Sequence, residues 1–375
     1  MIWHTVWRRC AGLLRQIPLD KPPYNPVRLP VLSTPRRDRM VSLSLPQDVN
    51  TSGNGMRPIN LSTDLAALAD LIELVFADTM DNNGRAALRE MRMLSRVGVG
   101  LNMLSRLNEM ALGINMGYVW FEDHKLVGNV SIYNTHWHAD LGSAWIIANV
   151  GVHPDYQRRG IARRLMQASL NAIQQHGGGA VILQMDADND PARALYLSLG
   201  FRAERVWTVW RRPAAARLPM QLATSDVHIV NRRNSEWRAE FALAQQVRPA
   251  VQGGVGWMRP LHANLFRPSL LKWLNNLSNL RSIERLVIRA KHAQALHAAL
   301  WIERNGFAST RLTLMVDPEY AGLYDEALLS TAVRRYGGNT LMIEHPNDEL
   351  TVNATLERYR FIRQRTIVHM RAELR

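Results

Sequence analysis

Between Trp145 and Leu165 the chain sets down an apolar run (Trp145 to Val152), a turn at Pro154, a basic loop and the start of an amphipathic helix. The loop reads Gln157-Arg158-Arg159-Gly160-Ile161-Ala162. A strand feeding a helix through a glycine-bearing loop aims several free backbone N–H groups and a positive helix end at one point in space. That arrangement suits a pyrophosphate. The spacing is neither G-x-x-x-x-G-K-[ST] nor G-x-G-x-x-G, so it is not the phosphate loop of a nucleoside triphosphatase or a dinucleotide fingerprint.

Around this segment the apolar spacing predicts a mixed fold. Met56 to Leu61 reads as a short strand. Ser62, Thr63 and Asp64 then offer N-cap chemistry for a helix with apolar residues at Leu65, Leu68, Ile72 and Val75. A second helical region spans about 84–109. Tyr118 to Phe121 and Leu126 to Tyr133 form a hairpin through the polar turn Glu122 to Lys125. The helix after Gly160 puts Ile161, Leu165, Ser169, Ala172 and Ile173 on one face, and Gly177 to Gly179 ends it. Ala180 to Met185 is the next strand. Asp190 caps a further helix with Pro191 in its first turn, and Gly200-Phe201 lead into a last strand pair through Trp210.

After a linker at 213–219 the pattern repeats. Val316-Asp317-Pro318-Glu319-Tyr320 echoes Val152-His153-Pro154-Asp155-Tyr156 at a spacing of 164 residues. Gly337 and Phe361 follow Gly177 and Phe201 by 160. Solenoid repeats are about 33–47 residues long, so a period this large means a duplicated domain.

Length and composition agree with two globular domains: 375 residues, 47% apolar and 21% charged. No apolar run approaches a membrane span, and the lone Cys10 excludes an intramolecular disulfide and fits a reducing cytoplasm, the expected location. The net charge of +14 favours anionic ligands. It is concentrated at residues 1–40, where eight Lys/Arg face Asp20 and Asp38 among six prolines. Residues 1–55 are therefore expected to be an unstructured arm or to precede the true start at Met40 or Met56, rather than to be a targeting signal.

The stretch Val150 to Leu165, followed by Asn189-x-x-Ala192-x-x-Leu195-Tyr196-x-x-x-Gly200-Phe201, resembles the GNAT superfamily of N-acetyltransferases. The resemblance covers residues 56–212 well and 220–375 as a degenerate copy. It implies an α/β (α+β) fold: two tandem acyl-CoA N-acyltransferase-like domains, each a mixed, mostly antiparallel twisted sheet flanked by helices. It also implies an enzyme that uses acetyl-CoA as co-substrate, with backbone groups near Val150 and Val152 along the pantetheine arm. The amides of Gln157, Arg158, Arg159, Gly160, Ile161 and Ala162 would take the pyrophosphate, with Arg163 nearby. Arg158 and Arg159 add charge there or are solvated surface. Asn189 would contact the pantetheine, and Tyr196 would return a proton to the CoA thiolate.

The general base stays open among Glu122, His136, His138, Asp140 and a water chain, since Trp145 to Val152 contains no carboxylate. His136-x-His138 alone is too little for a metal site, and none is expected. In the second copy Tyr196 becomes Leu356, Gly200 becomes Arg360, and acids (Asp325, Glu326) replace the basic loop. That copy is expected to be catalytically dead and to shape the acceptor groove. The expected activity is acetyl transfer to a primary amine of a small molecule or peptide by direct attack; the alternative is a non-catalytic acyl-CoA sensor. Trp207 and Trp210 alternate with valines like core strand residues, and no helix-turn-helix, zinc or RNP pattern appears, so nucleic acid is not an expected partner. A monomer or a homodimer fits equally.

Overall fold

A computed structural model of the protein describes residues 54–77, 80, 82–97, 116–135, 142, 144–217, 227–270, 276, 281–290, 295–305 and 309–374. Residues 1–53 of the arm, His136, His138, Asp140, residues 98–109 of the second helical region and the end of the linker lie outside the described residues, whereas Gly55, expected in the arm, already opens the first strand. In chain order the first half contains β1 (Gly55–Pro58), α1 (Leu61–Phe76), α2 (Asn82–Val97), β2 (Met116–Glu122), β3 (Lys125–Thr135), β4 (Ala144–Val152), α3 (Ile161–Gln175), β5 (Gly179–Asp186), α4 (Asp190–Ser198) and β6 (Arg202–Arg212). The second half repeats much of this order: β7 (Ile229–Asn231), α5 (Trp237–Val247), β8 (Arg281–Arg289), β9 (Leu296–Asn305), β10 (Thr310–Val316), α6 (Tyr324–Tyr336), β11 (Leu341–Pro346), α7 (Leu350–Arg358) and β12 (Ile362–Leu374).

Among the described residues these strands form one twelve-stranded sheet in the order β1-β2-β3-β4-β5-β12-β6-β11-β10-β9-β8-β7. The order reads the same from either end once each strand is matched to its counterpart in the other half. The halves are therefore related across the line between β12 and β6. Each is completed by the other's last strand: β12 runs antiparallel between β5 and β6, and β6 pairs with both β12 and β11. Val368, Met370 and Ala372 of β12 join the core of the first half, whereas Trp210 of β6 joins that of the second. Arg212, fully buried at the end of β6, donates to the carbonyls of Tyr359 (3.0 Å) and Ala216 (2.8 Å). The expected strand pair through Trp210 is thus a single strand whose partners come from the other half.

Helix faces follow the apolar spacing. Ile161, Leu165, Ser169, Ala172 and Ile173 are buried on α3, and Leu65, Leu68 and Ile72 on α1. Two caps differ from the sequence expectation. Asn60, not Ser62, Thr63 or Asp64, caps α1 by accepting from the Ser62 amide. Asp64 is instead buried against Arg57, which donates to both its oxygens at 2.7 Å and keeps its carboxyl below the ordinary range despite burial. The same carboxylate also accepts from the Asn60 backbone N–H at 2.8 Å, so it closes the helix start and compensates the arginine together. On α4 the cap is Asn189, which accepts from the Ala192 amide at 3.1 Å, and Asp190 is already helical.

Candidate active site

β4 and β5 are parallel neighbours only where Ala144 to Ile146 meet Ala180 to Ile182. Beyond that point β4 continues to Val152 and β5 to Asp186 without pairing, so their backbones diverge into a cleft. On the other side of β4, the register with β3 shifts between Asn129/Gly151 and Ser131/Ala148. Asn149 (φ 52°) and Val150 together stand opposite Val130 alone, a β-bulge of one extra residue at the cleft. A bulge leaves backbone groups outside the ladder and re-aims them. Val150 has no register partner in β3 and packs partly buried against the first-half core, in which Val152 is buried.

The chain leaves β4 through a short 3-10 turn, Pro154–Tyr156, and enters α3 at Gly160. Gly160 is left-handed (φ 75°) and supplies no side-chain cap. A Cβ there would meet nothing within 4 Å, so it is the positive φ, not lack of space, that favours glycine. The first backbone bond of the helix runs from Arg164 N–H to the Gly160 carbonyl at 3.1 Å. The Ile161, Ala162 and Arg163 amides precede that bond and make none of their own among the described residues.

The side chains of the loop are largely engaged with the protein. Gln157 donates to the Val152 carbonyl at 3.2 Å, and Arg159 to the Asp155 carbonyl at 3.1 Å, with its guanidinium 4.9 Å from the centre of the Tyr156 ring. Arg163 donates to Ser198 Oγ at 2.9 Å and so ties α3 to α4. Arg158, exposed and at φ 61°, has no side-chain partner among the described residues. Tyr196 on α4 is 5% exposed, beside Phe201. Desolvation pushes its hydroxyl up to about 12, so it is a proton donor across the physiological range.

Sequence reasoning missed the polar group at the bulge. Asn129, buried in β3, donates to Ser131 Oγ (3.2 Å) and to the Asn149 carbonyl (3.0 Å). The Asn149 amide reaches Ser131 Oγ (3.3 Å) and the Tyr133 hydroxyl (3.4 Å). These residues face α1, because Gly151, in register with Asn129, points at Val75 and Phe76. The available signal was a polar pair at i, i+2 inside the apolar run 126–132. Glu122, by contrast, sits at the hairpin tip. It lies beyond the level at which Trp120, Gly128 and Val152 align, so it is away from the bulge, and it accepts from Trp120 Nε1 at 3.0 Å.

The second half carries a matching divergence: β10 and β11 pair only at Thr310 to Leu312 with Leu341 to Ile343. Here the chain fills the space itself. Arg248, 1% exposed, donates to the carbonyls of Leu314 (3.0 Å) and Val247 (2.8 Å) and to both oxygens of Glu349. His345 Nε2 lies 2.9 Å from Glu349 Oε2. At the counterpart of the Gly160 loop, the Gly322 amide donates to the buried Asp325 carboxylate at 2.5 Å. Leu356 and Arg360 occupy the positions equivalent to Tyr196 and Gly200. Arg360 holds the left-handed turn at φ 63°.

A sheet parted between two parallel strands, a bulge at the parting and a helix start beyond it define the class: a protein of the N-acyltransferase fold, with the fold present twice. Residues 102–201 match the family model for the Acetyltransferase (GNAT) family. It is 30% identical over 179 residues to a mycothiol acetyltransferase from Kocuria rhizophila, covering 47% of this chain and 53% of the relative. It is 46% identical over 56 residues to the N-alpha-acetyltransferase RimI of Mycobacterium tuberculosis, covering 15% and 34%. The chain thus spans about half the length of the first relative and a third of the second. A GCN5-related N-acetyltransferase from Sphaerobacter thermophilus has the same fold, with a TM-score of 0.52 at 15% identity over 85% of this chain and 95% of its own. Among the described residues, no helix is long and apolar enough to cross a membrane.

Proposed function

We propose that the protein transfers an acetyl group from acetyl-CoA to a primary amine by direct attack, using the first-half cleft alone. The observation that carries this reading is the continuity of the cleft with the unpaired amides of Ile161, Ala162 and Arg163. An extended thioester arm fits the gap between β4 and β5. A pyrophosphate at its far end meets free N–H groups and the positive end of α3. Gln157 through Arg163 form that anion site chiefly through backbone; Arg158 is the side chain whose charge is uncommitted among the described residues. Val150 faces the thioester, and Asn129, Ser131, Asn149 and Tyr133 give the α1 side of the cleft its hydrogen-bonding surface. The name N-alpha-acetyltransferase of the RimI relative supports nitrogen as the acceptor atom.

Tyr196 supplies the proton for the departing thiolate: its hydroxyl is held protonated and accepts no charge of its own before the step. Asn189 acts through its cap on α4, the helix that carries Tyr196. The second half takes no acyl-CoA, because Arg248 occupies the equivalent gap and the Asp325 carboxylate takes the place of a phosphate oxygen at Gly322.

Thiol release from acetyl-CoA is the assay, with a panel of amino acids, polyamines, aminoglycosides and peptides. Tyr196→Phe is expected to bind acetyl-CoA as the wild type does and to lose about 100-fold in kcat, within the usual range for a positioned acid. A wild-type protein that binds acetyl-CoA and releases thiol with no amine refutes the transfer reading.

A further inference from the structure

An amine acceptor is an ammonium at neutral pH and must lose a proton before it attacks. β4 offers no carboxylate, and Glu122 is away from the bulge at the hairpin tip. On the α1 face, one strand out from the cleft, His369 of β12 stands directly opposite Gln184 of β5. Its Nε2 lies 3.1 Å from Glu344 Oε1 and 3.0 Å from the Gln184 side-chain amide. Gln184 and Glu344 are 160 residues apart and hold equivalent places in the two halves. The imidazole thus bridges β5 and β11 at the centre of the repeat. Its ring stacks on Trp207 (5.4 Å, 16°) and tilts against Trp257 (5.2 Å), leaving it 2% exposed.

With Nε2–H turned to the Glu344 carboxylate and the Gln184 amide turned so that its oxygen faces the same N–H, Nδ1 carries the lone pair. Nδ1 has no partner among the described residues and faces a small pocket under the 250–260 loop, lined by Ile182, Glu204, Gly253, Trp257, His369 and Arg371. A Cβ on Gly253 (φ 86°) would stand 3.5 Å from Nδ1 and 3.4 Å from Glu204 Oε2, so this glycine keeps the space in front of both open. Trp207 Nε1, buried and without a partner, is 3.9 Å from the same point. The charged groups facing the imidazole are Glu204 and Arg205 from β6, Arg371 from its own strand, Glu344 from β11 with Arg311 of β10 behind it, and Arg259 from the loop.

We propose that His369 is the general base of the reaction, a residue of the second half serving the cleft of the first; this rests on the acetyl-transfer reading above. One ammonium N–H bond breaks and its proton passes to Nδ1. The nitrogen keeps that electron pair and forms the C–N bond at the thioester carbon. The C–S bond breaks with its pair on sulfur, which takes the Tyr196 proton, and the nitrogen's second proton returns to the Tyr196 oxygen through solvent. Glu344 stabilises the imidazolium until the proton leaves to solvent, and Gln184 holds the ring against the cleft strand.

The test uses the full chain and the amine that turns over best in the panel. His369→Gln is expected to bind acetyl-CoA with wild-type affinity, to lose about 100-fold or more in kcat/KM, and to lose the acidic limb of the pH profile. Methoxyamine, which is unprotonated at neutral pH, needs no base, so the variant should acetylate it within a few-fold of the wild-type rate. Glu344→Gln removes the charge that stabilises the imidazolium and should move the acidic limb to lower pH. Equal losses with both acceptors, or an unchanged profile, overturn the assignment while leaving acetyl transfer intact. Absence of turnover by the wild type with every amine removes both.

Discussion

Arg248→Met tests how the second half came to be closed. Arg248 is fully buried, and its guanidinium supplies donors to the Leu314 and Val247 carbonyls and the counter-charge for Glu349. Methionine keeps most of the volume, so the loss is electrostatic rather than a cavity. Removing one member of a buried pair costs about 3–5 kcal/mol where the other charge is left uncompensated; Arg205 still donates to Glu349 at 3.0 Å, so the lower end of that range applies. Carbonyls left without donors add to that cost, about 1 kcal/mol or more each where water cannot reach them. At about 2 °C per kcal/mol for a unit of this size, Tm should fall by roughly 6–10 °C. Glu349→Gln in the Arg248→Met background should recover part of this, giving a coupling of about 1 kcal/mol or more in urea unfolding.

The same cycle has a pH signature. Arg248 and His345 hold the Glu349 carboxyl far below its ordinary range, so the stability it contributes is present above about pH 4.3 and falls away on acidification. Burial pushes the His345 imidazole down, so its protonation in the unfolded chain also opposes folding below about pH 6.5. Wild-type stability should therefore decline from about pH 6.5 downward. In Arg248→Met the part of that slope below about pH 4.3 should become shallower without vanishing, since His345 and Arg205 still hold the carboxyl down. A loss under about 1 kcal/mol, or additivity of the two substitutions within about 0.5 kcal/mol, would show that Arg248 is not the plug argued for here.

Two further outcomes follow from the geometry. Calorimetry should find one acetyl-CoA per chain, and Gly160→Asp, which brings a carboxylate to the unpaired amides, should abolish it; two sites of similar affinity would contradict the filling of the second cleft. Gly117→Ala should unfold the first half early. A Cβ there meets the Val130 carbonyl at 2.5 Å, and overpacking against backbone costs about 1–3 kcal/mol; unchanged thermal unfolding would count against that packing.

What the sequence determined by itself is local. The Pro154 turn, the Gly160 loop and α3 are legible because each depends on residues within a few positions: a fixed φ, a left-handed glycine, an apolar stripe at helical spacing. The repeat is legible for the same reason, since Val316 to Tyr320 recreates the turn of Val152 to Tyr156 from the same local chemistry. Short-range readings were incomplete where a partner outside the helix intervened: Asp64 accepts from the Asn60 amide at the start of α1 and also pairs with Arg57 of β1.

Only the tertiary structure decided the rest. β6 and β12 both read as alternating apolar strands, and alternation specifies which face is buried but not which strand lies alongside. Their exchange depends on register across more than 150 residues. It brings His369 to Gln184 and Glu344, and the packing of the second half brings Arg248 to Leu314 and Glu349. The anion loop could be read from one stretch of chain because backbone amides build it. The base and the plug could not, because each is a side chain whose chemistry is set by neighbours that only the folded sheet supplies.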